Sequence, residues 1–166
     1  MRSISTDIIY IGTDDLSIDL FEGQYKVPQG VSYNSYLILD EKTAILDTVD
    51  SRKAEEWLAK LETALDGRIP DYLVVHHLEP DHSSVIAAVA EKYPSMTIVA
   101  GAKALAMIPQ FFENLSLEGR TMAMKEGQVL ELERLLDKDE WSDEDMDCVR
   151  SVKESVESHI DAGQRN

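Results

Sequence analysis

Asp71-Tyr72-Leu73-Val74-Val75-His76-His77-Leu78-Glu79-Pro80-Asp81-His82-Ser83 is the stretch on which the reading turns. After Asp71 the residues are apolar without alternation, the pattern of a strand covered on both faces. Four side chains of metal-ligand type then fall within six residues. From the composition, a His-x-acid-x-acid-His pattern arises by chance about once in three hundred such chains, so coincidence is a poor account. Its place after a buried strand adds weight, because α/β folds put their sites at the carboxyl ends of such strands.

The chemistry of the segment points to metal. Spacing by two lets His77 and Glu79 point the same way from an extended loop and share one ion, while the kink favoured at Pro80 turns Asp81 and His82 toward a second. Mixed imidazole and carboxylate ligands suit iron, manganese or zinc, and the large carboxylate share leans toward iron or manganese. The competing reading is a helix start where Asp81 caps and the histidines only pack. His76 ends the apolar run facing away from His77, and is expected to be buried and hydrogen-bonded rather than a ligand. The glycines stand singly, so no phosphate-binding loop, and with it no nucleotide or flavin site, can be built from this chain.

Upstream the chain reads as β-rich. Ile8-Ile9-Tyr10-Ile11 and Ser17-Ile18-Asp19-Leu20-Phe21 are expected strands separated by Gly12-Thr13-Asp14-Asp15. Residues 30–39 and 43–49 form an expected antiparallel hairpin around Asp40-Glu41-Lys42. Trp57, Leu58, Leu61 and Leu65 keep helical spacing, from after Asp50-Ser51 to Gly67. Downstream, Ser83-Ser84 is expected to cap a helix from 85 to about 93. Met96-Thr97-Ile98-Val99-Ala100 reads as a second buried strand, followed by a helix from Ala102 that must adjust at Pro109. Residues 121–124 and 128–132 read as two last short strands. In the tail, Ser142-x-x-Asp145 resembles a capping box, and Met146, Val149, Val152, Val156 and Ile160 make the apolar stripe of one amphipathic helix ending near Gly163.

The 166 residues are one domain's worth of chain. A net charge of −16 argues against nucleic acid and anionic membrane, which need a positive face. No apolar stretch is long enough for a signal peptide or a membrane span. The single cysteine, Cys148, excludes a disulfide framework and makes a reducing cytoplasm the default. With no second cysteine, and no histidine within two turns, neither a nucleophile nor a thiolate ligand is supported there. His159 is read as a surface or boundary residue of the tail helix.

Several stretches resemble one family in order: Gly30-x-Ser-Tyr33-Asn34-Ser-Tyr36-Leu-Ile, Ala44-Ile-Leu-Asp47-Thr, the His77-to-His82 segment, Gly101-Ala-Lys-Ala and Lys125-Glu126-Gly127. Together they are similar to the flavodiiron proteins (A-type flavoproteins), oxidoreductases that reduce dioxygen or nitric oxide. Those join a metallo-β-lactamase-like diiron domain to a flavodoxin-like domain carrying FMN. Glu79 is specific to them, since hydrolases of the superfamily usually have histidine there. That makes a dinuclear metallohydrolase the less favoured alternative.

The resemblance covers roughly residues 5–132. It implies an α/β fold, the N-terminal half of an αββα sandwich with a mixed sheet and flanking helices, to which residues 133–166 add an acidic linker and the C-terminal helix. It also implies that His77 and Glu79 bind one iron of a non-haem diiron site and Asp81 and His82 the other. The family's further histidines, its bridging aspartate and its FMN domain are not matched here. Glu140-Trp141-Ser142-Asp143 only faintly echoes the family's His-Trp-Pro loop. The expectation is therefore a truncated chain with an incomplete site, completed by a homodimer partner or by a complementary subunit carrying the missing ligands and flavin. The alternative is a non-catalytic remnant or binding module.

Overall fold

A computed structural model describes residues 2–21, 23–112 and 114–132. Eight strands come first: β1 (Arg2–Ser3), β2 (Ile8–Tyr10), β3 (Thr13–Asp15), β4 (Leu20–Phe21), β5 (Tyr25–Lys26), β6 (Val31–Tyr33), β7 (Tyr36–Leu39) and β8 (Thr43–Leu46). A 3₁₀ turn, Ser51–Lys53, leads into α1 (Ala54–Leu65). Then follow β9 (Tyr72–Val75), α2 (Pro80–Ser83), α3 (Ile86–Lys92), β10 (Thr97–Gly101), α4 (Ala102–Phe111) and β11 (Thr121–Met124).

The expected mixed sheet is present. Seven strands run in the order β1-β2-β7-β8-β9-β10-β11, antiparallel from β1 to β8 and parallel from β8 to β11. The hairpin of β7 and β8 needs only a short turn, whereas each parallel step needs a crossover, and α1, α3 and α4 lie within those three crossovers. α1 stops where Asp66 takes a left-handed conformation (φ 47°) just ahead of Gly67.

Register decides which side chains make the core. Leu37, Ile45, Leu73 and Ile98 stand opposite one another across four strands and are fully buried. They pack with Trp57 and Leu61 of α1, Ile86 and Val89 of α3 and Ile108 of α4. Burying each such side chain is worth roughly 1.5–3 kcal/mol. The alternate residues Ile38, Leu46, Tyr72, Val74 and Met122 project from the opposite face. None belongs to that core cluster, so the sheet has a second apolar face outside it.

Several expectations are corrected. Thr13–Asp15, read as a separator, is a strand paired with Val31–Tyr33 in a small second sheet. Gly30 makes that pairing possible: its φ is +77°, and a Cβ there would collide with the Asp15 carbonyl. Of residues 17–21 only Leu20–Phe21 is strand, pairing with Tyr25–Lys26 in a small hairpin. Residues 30–39 are not one strand, because the chain turns at Asn34-Ser35 and passes from the small sheet to the large one. Ser83 lies inside α2 rather than capping the next helix, which begins at Ile86. Residues 128–132 form no strand. Among the described residues no helix is long and apolar enough to cross a membrane. The amphipathic helix expected at 142–163, the residues of its stripe, Cys148, His159 and the boundary at 132/133 lie outside the described residues.

Candidate metal centre

β9 ends at Val75, and the next seven residues carry the candidate ligands off the carboxyl end of a central strand. Pro80 opens α2 at a position where its fixed φ suits a helix start and its missing N–H costs nothing. Glu79 occupies the N-cap position but makes no side-chain cap bond, so its carboxylate is not committed to the helix. Asp81 lies in the first turn and does not cap it, which disfavours the reading in which this segment is only a capped helix start.

The four ligand-type side chains come together in pairs. The His77 Nδ1 lies 3.4 Å from Glu79 Oε2, and the His82 Nε2 lies 3.4 Å from Asp81 Oδ2. The two imidazoles bridge the pairs, with ring centroids 4.3 Å apart and planes tilted by 52°. Asp81 Oδ1 is buried with no hydrogen-bond partner, a vacancy in its bonding that a cation would fill. Glu79 is the outermost member, its side chain 65% exposed. Among the described residues no three His, Cys, Asp or Glu side chains converge as ligands of a single ion. The described residues thus offer two donor pairs, His77 with Glu79 and Asp81 with His82, and no three-ligand set for a single ion.

Asp47, quoted above only as part of a motif, is the centre of the surrounding hydrogen bonds. It follows β8 in a left-handed conformation, φ 56°. The His76 backbone N–H donates to its Oδ1 at 2.8 Å, and the Nδ1 atoms of His76 and His82 lie 2.9 and 3.2 Å from its Oδ2. Burial pushes this carboxyl up, but the hydrogen bonds from His76 and His82 outweigh it and hold Asp47 well below the usual carboxylate range. His76 is hydrogen-bonded as expected. Its ring, however, is 26% exposed rather than buried. The motif Ala44-Ile-Leu-Asp47-Thr singles out the position of Asp47, but its role was not legible, since neither its left-handed backbone nor its reach across to β9 is a local property.

The two ligand histidines differ electrostatically. Burial lowers the His77 pKa, and the neighbouring His82 lowers it further. Burial also works against a charged His82, but the hydrogen bond and charge of Asp47 more than compensate and raise it. As pH falls through the imidazole range, His82 should take a proton before His77. Following the two ring Cε1–H resonances against pH in metal-free protein tests this, and His77 protonating first would contradict it.

A cavity of about 160 Å³ opens beside Asp81, between the β4–β5 hairpin and the start of α2. Leu20, Phe21 and Pro80 give it apolar walls. Arg52 lines it too, but its charge is matched by Asp50 at 2.9 Å and Asp15 at 3.8 Å. The space suits a few waters or a small neutral molecule rather than an anion.

No family model matches the chain. Curated relatives do. Over 96 residues, 57% of its length, the chain is 41% identical to the anaerobic nitric oxide reductase flavorubredoxin of Aliivibrio fischeri, of which it covers 19%. It is 31% identical over 134 residues, 76% of its length, to the anaerobic nitric oxide reductase flavorubredoxin homolog of Escherichia coli O157:H7, of which it covers 33%. The chain thus spans about a fifth to a third of the length of these relatives. Among solved structures, rubredoxin oxygen:oxidoreductase of Desulfovibrio gigas superposes with a TM-score of 0.73 at 29% identity, over 79% of this chain and 32% of that one. The flavodiiron protein from Giardia intestinalis does so with a TM-score of 0.69 at 26% identity, over 77% and 31%.

Proposed function

This chain belongs to the flavodiiron protein family, and on that premise we propose that His77, Glu79, Asp81 and His82 supply half of the ligands of a non-haem diiron centre that reduces nitric oxide or dioxygen. The observation that carries the reading is the pairing of His77 with Glu79 and of Asp81 with His82 around two rings 4.3 Å apart. When bound, two ferrous ions supply the electrons for reducing a diatomic molecule. The chain's own groups hold the metal, with His77 and Glu79 on one ion and Asp81 and His82 on the other. The apolar walls of the cavity beside Asp81 admit a small neutral substrate to that edge.

Two ligands per ion leave the centre open. We infer that the remaining ligands, and the FMN that passes electrons to the centre, come from polypeptide outside residues 2–132. The second apolar face of the sheet offers a surface for that polypeptide. The single cysteine supports a cytoplasmic location.

A single-turnover experiment avoids the need for flavin. Protein loaded anaerobically with Fe²⁺ and freed of excess iron is mixed with nitric oxide. Two nitric oxides, two protons and two electrons give one nitrous oxide and one water, so the yield should approach about one nitrous oxide per two irons. His77→Ala protein should give none. Iron-loaded wild-type protein that gives none, also when supplied with the polypeptide that carries the remaining ligands, would sink the reductase reading. It would favour instead a non-catalytic module with weakly held metal, which the lack of three converging ligands among the described residues makes the next reading.

A further inference from the structure

We propose that Asp47 is a positioning residue for the metal centre, fixing His82 in the tautomer that keeps its proton on Nδ1 and leaves the Nε2 lone pair for the ion. The inference rests on the metal-binding reading above and adds a residue and a role to it.

The geometry around Asp47 leaves little choice. Its Oδ1 accepts the His76 backbone N–H at 2.8 Å, and its Oδ2 lies against two imidazole nitrogens, His76 Nδ1 at 2.9 Å and His82 Nδ1 at 3.2 Å. An ionised carboxylate has only acceptor sites, so both Nδ1 atoms must be the donors. A neutral imidazole that donates through Nδ1 carries its lone pair on Nε2, and the His82 Nε2 is the atom beside Asp81 Oδ2, at 3.4 Å. The arrangement is that of a carboxylate behind a ligating histidine, which sets ring orientation and raises basicity.

The next residue holds the same histidine by its backbone. The Thr48 N–H and Oγ1 both donate to the His82 carbonyl, at 2.9 and 2.8 Å, and Thr48 Oγ1 in turn accepts from the Val85 N–H at 3.3 Å. Asp47 is itself fixed: its N–H donates to the Val74 carbonyl at 2.9 Å, and its carbonyl accepts from Ser35 Oγ at 2.9 Å. Its φ of 56° is an unusual conformation for a residue with a side chain, retained where the surroundings over-determine it. Asp47-Thr48 thus clamps His82 at both ring and main chain from a strand that is distant in sequence.

Asp47→Asn tests the role with little disturbance, since asparagine also tolerates the left-handed region. Its single oxygen can accept the His76 N–H or face the imidazoles, but not both. With the oxygen kept by the backbone N–H, the amide NH₂ faces both Nδ1 atoms and turns them into acceptors. His82 then carries its proton on Nε2, where the metal should bind. Long-range ¹H–¹⁵N spectra of metal-free protein at about pH 9, above the imidazole range, report the tautomer directly. Wild-type His82 should be protonated on Nδ1 and the variant on Nε2. Titration with Mn²⁺ alone should show roughly 10- to 100-fold weaker binding in the variant.

Wild-type His82 protonated on Nε2 would overturn the proposal without any variant, so it is tested even if Asp47→Asn does not fold. So would a folded variant with unchanged tautomer and unchanged Mn²⁺ affinity. A wild-type chain with the Nδ1–H tautomer but no Mn²⁺ binding would overturn the metal-binding reading instead, while supporting the hold of Asp47 on the ring.

Discussion

Replacing Trp57 by alanine should cost about 3–5 kcal/mol of folding stability, a large share of the 5–15 kcal/mol that holds a typical domain together. Trp57 is fully buried in the cluster formed by α1 and the core face of the sheet. An indole of that kind removes roughly 150–250 Å² of surface from water, and a close-packed core cannot collapse into the space it leaves. There is a polar component as well. The indole Nε1–H donates to Ser35 Oγ at 3.0 Å, and that hydroxyl donates to the Asp47 carbonyl at 2.9 Å. Ser35 is fully buried, so losing its donor leaves a group that water cannot reach. Trp57→Phe keeps most of the volume and loses only the N–H, and should cost about 1–2 kcal/mol. Denaturant melts of the two variants give both numbers. A loss below about 1 kcal/mol for Trp57→Ala would contradict the packing described. Because Trp57 and Asp47 are linked through Ser35, the alanine variant should also disturb the His82 ring environment.

The second large effect is on iron. Removing a first ligand from an ion that has two protein ligands halves what holds it, and no neighbouring group can substitute, since no third ligand converges on either pair among the described residues. His77→Ala and His82→Ala should each lower Fe²⁺ affinity by roughly a hundredfold or more, beyond the range seen when only an outer partner is lost. The two variants should differ in stability. His82 donates to the buried Asp47, so its loss takes a hydrogen bond from an ionised group, worth about 1.5–3 kcal/mol. His77 makes no contact with Asp47 of that kind, and its substitution should leave the melting behaviour closer to wild type. A His77→Ala chain that keeps wild-type Fe²⁺ affinity would remove His77 from the site.

What the sequence disclosed and what it withheld divide along physical lines. The buried strand at 72–75, the hairpin around 40–42 and the helix from Trp57 to Leu65 are set by periodicity and turn chemistry, which are local, and all three appear in the structure. The grouping of His77, Glu79, Asp81 and His82 was legible because they are neighbours in the chain. Strand pairing was not. Thr13–Asp15 is polar and follows a glycine, which is turn chemistry on any local reading. It becomes a strand because Val31–Tyr33 offers it a partner across a close approach at Gly30. Residues 30–39 carry one unbroken β-type pattern, but their two halves pair in different sheets, and only the tertiary fold decides that. Conversely, residues 128–132 have strand-like composition but pair with no strand among the described residues. Asp47 is the case that matters for function. Its partners lie 29 and 35 positions away, so the sequence marked its motif but not its role.

Iron content decides the central claim. Protein purified and reconstituted with Fe²⁺ under anaerobic conditions, then freed of unbound metal, is analysed for iron per chain. The account predicts about two irons per chain, each pair of ligands holding one, with the iron of the His77–Glu79 pair lost in Glu79→Ala and His77→Ala while the fold is retained. Less than about a tenth of an iron per chain, with folding unchanged in those variants, would contradict it.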